Sequence, residues 1–262
     1  MIMEKTVTTR FTEASGTVTL NRPDVHNAMN LQMVRELSDV FIRLHNQPGI
    51  RIIHLCASGS NFSAGADLNW MREGLSQTGS RVREESLELA NLFHSIAAAP
   101  QVVVCSVKGK VMGGANGIVA ASDLVVAADE AQFAFTEVRL GLVPATIAPY
   151  ILRKAGYAKS LDWMLTGRLF SAREAFQAGL VQYLSSGTKT EKDSVEIIEG
   201  LLRNGPRALK GIKQLVNDLS GGDIDGETRE LTAQLIARYR TSEEGQEGMK
   251  AFFEKRKPVW NG

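Results

Sequence analysis

"VMGGANGIVAASD", residues 111–123, follows the β-rich run "QVVVCSV" (101–107) and opens a helical pattern. A glycine at such a place costs about 0.5 to 1 kcal/mol relative to alanine, yet Gly113, Gly114 and Gly117 all stand there. A cluster of this kind is useful where a backbone N–H must stay bare or another segment must come close. A strand that runs into a small-residue turn and then a helix is also the βα unit, and the chain around it keeps the same rhythm. "GTVTLNRP" (16–23) reads as a strand ended by a turn, and Leu31, Val34, Leu37, Phe41 and Leu44 then recur at helical spacing. "IRIIHLCAS" (50–58) is a buried strand, residues 80–97 a helix, and "DLVVAADEAQFAF" (123–135) further β material. The fold class is α/β. From about residue 190 the composition turns helical, with Leu231, Leu235 and Tyr239 on one face of "GETRELTAQLIARYR" (226–240). Lacking strands for a core of its own, that tail is expected to pack on the first region or on another subunit.

The chain has 262 residues, 44% of them hydrophobic, with 30 Lys and Arg against 29 Asp and Glu. Such a balance makes no broad field for nucleic acid or an anionic membrane, so a small-molecule partner is expected. Cys56 and Cys105 both lie in apolar runs and read as buried thiols. No disulfide framework is possible, and "MIMEKTVTTRF" reads as neither signal peptide nor membrane span, so the expected location is cytoplasmic. His26, His45, His54 and His94 share no metal-ligand spacing, so no metal site is expected.

Three stretches remain once core periodicity is set aside: the glycine cluster, "NFSAGADLNWM" (61–71) and "FAFTEVRLGLVPAT" (133–146). A strand ending in "SAGAD" can present the N–H of Ala66 with little obstruction, and Gly114 at a helix start offers a second donor. Two donors aimed at one point make an oxyanion hole, although each turn alone also reads as tight packing. Glu137 follows an apolar stretch and shares a side with Phe133 and Phe135 if the strand persists that far. A desolvated carboxylate there suits general acid/base work; a surface glutamate beside Arg139 is the other reading. "GGANG" is not in register with a dinucleotide fingerprint, and neither a P-loop nor a GxSxG elbow occurs.

These residues resemble the crotonase, or enoyl-CoA hydratase/isomerase, superfamily. The match runs from "VTLNRPDVHNAMN" (18–30) through "FSAGADL" (62–68) and "GGANGIVAASDLVVAADEAQFAFTEVRLGLVP" (113–144) to "GMKAFFEKRKPVW" (248–260). The resemblance implies a spiral of ββα turns over residues 1–195 and a helical C-terminal trimerisation region over 196–262, assembled as a homo-trimer or hexamer. It implies an acyl-CoA thioester substrate, no separate cofactor, and an enolate held by the N–H groups of Ala66 and Gly114. It places Asp24, Val25, His26, Ala28, Ala64, Asp67, Leu68 and Asn69 along CoA, with Phe252 and Lys255 reaching the CoA of a neighbouring subunit. Relatives carry one glutamate in "GGGCEL" and a second in "PEI"; here the second is Glu137, while Gly117 stands at the first position. One carboxylate suits either a hydratase or a double-bond isomerase, and a silent acyl-CoA-binding scaffold is the third reading. "SAGADLNWM" (63–71) and "TEVRLGLVPATIAPYIL" (136–152) most resemble bacterial methylglutaconyl-CoA hydratases of leucine degradation. A substrate of that type needs a cation for its terminal carboxylate, for which Arg72 is the nearest candidate.

Overall fold

The computed structural model describes residues 5–261. In chain order its elements are β1 (Val7–Phe11), β2 (Ser15–Leu20), α1 (Leu31–His45), β3 (Ile52–Ala57), α2 (Leu68–Gly74), α3 (Gly79–Ala97), β4 (Val102–Val107), β5 (Lys110–Met112), α4 (Ala115–Ala121), β6 (Leu124–Ala128) and β7 (Gln132–Ala134). There follow α5 (Ala148–Thr166), β8 (Phe170–Ser171), α6 (Ala172–Gln177), β9 (Tyr183–Ser185), α7 (Thr190–Leu202), α8 (Pro206–Leu219), α9 (Gly226–Thr241) and α10 (Glu243–Phe253). Strands β1-β2-β3-β4-β6-β9 form one sheet, antiparallel only between β1 and β2, and β5-β7-β8 form a second. The chain crosses from the large sheet to the small one in β4–β5 and again in β6–β7, and a bridge from Ser63 to Val111 makes the same crossing after β3. This is the expected ββα spiral, and the helical C-terminal region follows it.

The apolar runs β3, β4 and β6 are continuous because both faces of the large sheet are covered, as in parallel sheets generally. One face packs Ile53, Leu55, Val103, Val107 and Val125 against Val34, Leu37 and Phe41 of α1 and Phe93 of α3. The other packs Ile52, Val104 and Val126 against Ile198 of α7. Asn30 caps α1 by accepting the Met33 N–H at 2.9 Å, so the helix begins where its apolar stripe does. Cys105 is fully buried, its thiol pushed up to about 12 by desolvation. Cys56 departs from expectation: it lies at the C-terminal end of β3, where burial falls off, is only half-buried, and sits 3.4 Å from the Thr19 hydroxyl.

The aromatic rings below the small sheet hold the next turn in place. Trp163 and Phe170 stack at 4.0 Å and 3°, and Phe135 lies 5.9 Å from Phe170 and 6.2 Å from Trp163. Phe135 immediately precedes the turn that carries Glu137.

Candidate functional site

Ala66 is presented by a piece of sheet-like pairing. Met29 donates to the Gly65 carbonyl at 2.7 Å and accepts the Asp67 N–H at 2.8 Å, so the bridge to Met29 uses the groups on either side of Ala66. The Ala66 N–H itself points away from Met29, makes no hydrogen bond among the described residues, and lies on an exposed residue. Gly65 makes this possible: its φ is +94°, and a Cβ there would stand 3.0 Å from the Met112 carbonyl oxygen. The turn is anchored by Asp67, whose carboxylate accepts from the Arg22 guanidinium at 2.8 Å and caps α2 through the Asn69 N–H at 2.9 Å. Burial alone would raise the Asp67 carboxyl, but these donors outweigh it and hold it below its ordinary value.

Gly114 is positioned differently. Gly113, at φ +50°, donates to the Ala134 carbonyl at 2.9 Å, and the N–H of Gly114 just before α4 has no hydrogen bond among the described residues. The turn is locked by Asn116, which is fully buried and donates Nδ2 to the carbonyls of Gly113 (2.9 Å), Ala134 (3.0 Å) and Val111 (3.3 Å). A Cβ on Gly114 would stand 3.0 Å from the Met29 Cε, the same Met29 that pairs with the Ala66 turn. The two free N–H groups therefore belong to segments that share one neighbour.

Glu137 reaches this place from below. The strand does not persist to it: β7 ends at Ala134, and Glu137 lies in a 3-10 turn, Thr136–Leu140, closed by Gly141 at φ +71°. Its Oε1 lies 3.4 Å from where a Cβ on Gly113 would be, which sets the carboxylate against the glycine turn. Oε2 is buried and has no hydrogen-bond partner among the described residues. Desolvation raises the Glu137 carboxyl above its ordinary value, partly offset by its own backbone N–H.

Gly117 has a steric reason of its own. A Cβ on it would stand 2.4 Å from Ile147 Cγ2 and 2.6 Å from Phe93 Cζ. No longer side chain fits while those two groups hold their places, so the wall beside the turn is apolar.

The expected CoA residues fall into two groups. Asp24, Val25, His26 and Ala28 are brought beside Ala64, Asp67, Leu68 and Asn69 by a hydrogen bond from the Ala64 N–H to the His26 carbonyl at 2.9 Å. Asn27, fully buried at φ +54°, ties the same segments by donating to the carbonyls of Ser58 (2.8 Å) and Asn61 (2.9 Å). Ala64, Leu68 and Asn69 are exposed along this surface, whereas the Asp67 carboxylate faces inward to Arg22. Phe252 and Lys255 stand apart at the end of α10, Phe252 being 78% exposed, and no hydrogen bond among the described residues joins them to it. Arg22, Asn27 and Asn116 were not among the expected residues, although each holds the site's backbone in place. No helix among the described residues is long and apolar enough to cross a membrane, and no three potential metal ligands cluster among them.

The family model for enoyl-CoA hydratase/isomerase matches residues 10–262. A Thermus thermophilus protein provisionally described as an enoyl-CoA hydratase is 35% identical, over 92% of this chain and 95% of its own. A Streptococcus mutans trans-2-decenoyl-[acyl-carrier-protein] isomerase is 29% identical over 94% of each chain. The crystal structure of an enoyl-CoA hydratase from Shewanella pealeana superposes with a TM-score of 0.93 at 36% identity, covering 97% of this chain and 96% of that one. The family model over nearly the whole chain, together with these relatives, shows that the chain belongs to the enoyl-CoA hydratase/isomerase, or crotonase, family.

Proposed function

We propose that the protein hydrates a 2-enoyl-CoA thioester through two backbone donors and a single glutamate. The observation that carries this reading is the buried, unpartnered Oε2 of Glu137 beside the glycine turn. In this reading the thioester oxygen accepts the N–H groups of Ala66 and Gly114. Each such donor contributes roughly 3 to 4 kcal/mol when negative charge develops on the oxygen. Glu137 takes a proton from water as the water oxygen bonds to Cβ, the electron pair of the double bond moves toward the thioester oxygen, and the same carboxyl then delivers a proton to Cα. Asp24, Val25, His26, Ala28, Ala64, Leu68 and Asn69 would line CoA, with Asp67 keeping the Ala66 turn in register.

A second reading, double-bond isomerisation, is favoured by the apolar groups packed at Gly117. Glu137 would then move one proton between Cα and Cγ, and no water would need to be held. Turnover in ¹⁸O-labelled water separates the two. Label in the product supports hydration; a shifted double bond without label supports isomerisation; acyl-CoA binding with no turnover on crotonyl- or methylglutaconyl-CoA overturns both and leaves the scaffold reading.

For the substrate we favour a branched, glutaconyl-type acyl chain, with the exposed Arg72 in the last turn of α2 answering its carboxylate. Exposed Ile212 and Val216 on α8 and Ile236 on α9 support homo-oligomerisation through residues 196–262, which would carry Phe252 and Lys255 to a neighbour's CoA.

A further inference from the structure

We propose that the cleft beneath the start of α8 is a second ligand site, taking a nucleoside diphosphate or an anion of the same class. The cleft is about 530 Å³ and is lined by His45, Arg51, Gln101, Arg207, Lys210 and Trp260, among others. It lies at the N-terminal ends of the parallel strands, since Arg51 precedes β3 and Gln101 precedes β4. The turns that present Ala66 and Gly114 follow the C-terminal ends, so a strand length, roughly 20 Å, separates the two places.

Two observations point to an anion carrying a ring. The first is charge: no acidic side chain among the described residues lines the cleft. The guanidinium of Arg51 bonds only to the Leu202 carbonyl, at 3.2 Å, and neither Arg51, Arg207 nor Lys210 has an ion-pair partner among the described residues. Glu244 is the carboxylate nearest by bonding, and its two oxygens are taken by the N–H groups of Arg207 and Ala208, both at 2.9 Å. The next lysine along α8, Lys213, is by contrast neutralised by Asp123 at 2.7 Å. Three like charges facing one cavity without an internal counter-ion repel one another, and a multiply charged anion relieves that repulsion.

The second observation is Trp260. Its indole N–H donates to the Arg203 carbonyl at 3.1 Å and its ring edge rests against Gly248, so the ring is held in place as one wall of the cleft. A fixed aromatic face beside guanidinium groups suits a heterocyclic base. The volume also exceeds what a bare phosphate fills.

ADP is the probe, titrated calorimetrically into the full-length protein, with pyrophosphate beside it. We expect saturable ADP binding that weakens with added salt and is tighter than that of pyrophosphate. Lys210→Glu and Arg51→Glu should each weaken it at least tenfold, while Lys210→Arg preserves it. Trp260→Ala should remove the advantage of ADP over pyrophosphate. Acetyl-CoA affinity and enoyl-CoA turnover should stay at the wild-type level in the α8 variants, which also reports that they fold. No ADP binding at millimolar concentration, or an isotherm that Lys210→Glu and Arg51→Glu leave unchanged, overturns the proposal.

Discussion

The two turns that present a bare N–H are held by opposite means. The Ala66 turn is tied from outside its own segment by an ion pair at the edge of solvent, Arg22 to Asp67 with side chains 21% and 9% exposed, together with a hydrogen bond from the same guanidinium to the Ala28 carbonyl at 2.5 Å. The Gly114 turn is tied from within by a neutral amide, Asn116, that water does not reach. An ion pair is sensitive to salt and pH, whereas a buried amide bridging three carbonyls is not, and its loss removes hydrogen bonds that water does not replace. The turn nearer the proposed CoA surface is thus the adjustable one, and the turn nearer Glu137 the rigid one.

The largest effect is expected at the carboxylate that the rigid turn faces. Glu137→Gln should lower kcat by about 10²- to 10⁴-fold, the usual contribution of a general acid/base, with little change in acyl-CoA affinity. Stability should not suffer. The Glu137 carboxyl is raised in the folded state, so its ionised form disfavours folding at neutral pH, and a neutral amide removes that penalty. A Gln variant with near-normal turnover would sink the assignment.

Asn116→Ala comes next and tests the rigidity of the Gly114 turn directly. Removing this donor takes a second hydrogen bond from the Gly113 and Ala134 carbonyls, which keep the N–H groups of Asn116 (3.0 Å) and Gly113 (2.9 Å), and one from Val111, at about 1 to 3 kcal/mol in all. We expect a drop in melting temperature together with a tenfold or greater fall in kcat, measured by calorimetry and steady-state kinetics. Loss of stability with kcat intact would mean that the turn does not need this lock.

Asp67→Asn should do less. It keeps the cap on α2 but unpairs Arg22, whose side chain is 21% exposed and so partly rehydrated. About 1 kcal/mol is expected for a pair of this exposure, seen chiefly as a raised KM that added salt imitates in the wild type. If salt leaves the wild-type KM unchanged, the contrast between the two turns fails.

How far these parts could be read from the chain depends on where their partners lie. The glycine cluster and "SAGAD" announced two presented N–H groups because a glycine's reason is local: φ values of +94° at Gly65 and +50° at Gly113 are written into the residue type. Glu137 was legible as a residue but not as geometry, since a 3-10 turn rather than a continuing strand aims it. Asn116, Arg22 and Asn27 left no periodic trace, because each bonds in part to another segment: the Ala134 carbonyl 18 residues away for Asn116, the Asn61 carbonyl 34 away for Asn27 and the Asp67 carboxylate 45 away for Arg22. Gly117 shows the same limit: Phe93 and Ile147, which fill the space at its Cβ, come from α3 and from the residue just before α5. The basic cleft was invisible for that reason too, being assembled from the ends of α1 and α8 and the chain terminus.

The smallest and most discriminating effect is in the pH profile, because the carboxyl on the Ala66 turn and the carboxyl facing the Gly114 turn are shifted in opposite directions. Glu137 is raised from 4.5 by desolvation, and Asp67, despite its burial, is lowered from 3.8 by Arg22 and the Asn69 N–H. Linkage gives each a sign. The Glu137 shift favours the folded state below 4.5, and that contribution is lost as pH rises through its folded value. The Asp67 shift stabilises above 3.8, and that contribution is lost as pH falls through its folded value. On acidification from neutrality, Glu137 therefore gains its proton first, while the Arg22–Asp67 tie is still intact. Activity that needs the ionised carboxylate should fall on an acid limb of kcat/KM lying above 4.5, in a pH range where near-UV circular dichroism still reports native packing. The limb should move little in Asp67→Asn. A limb at or below 4.5, or one that coincides with unfolding, would place the titrating group elsewhere and remove the distinction between a turn that sets the chemistry and a turn that sets the grip.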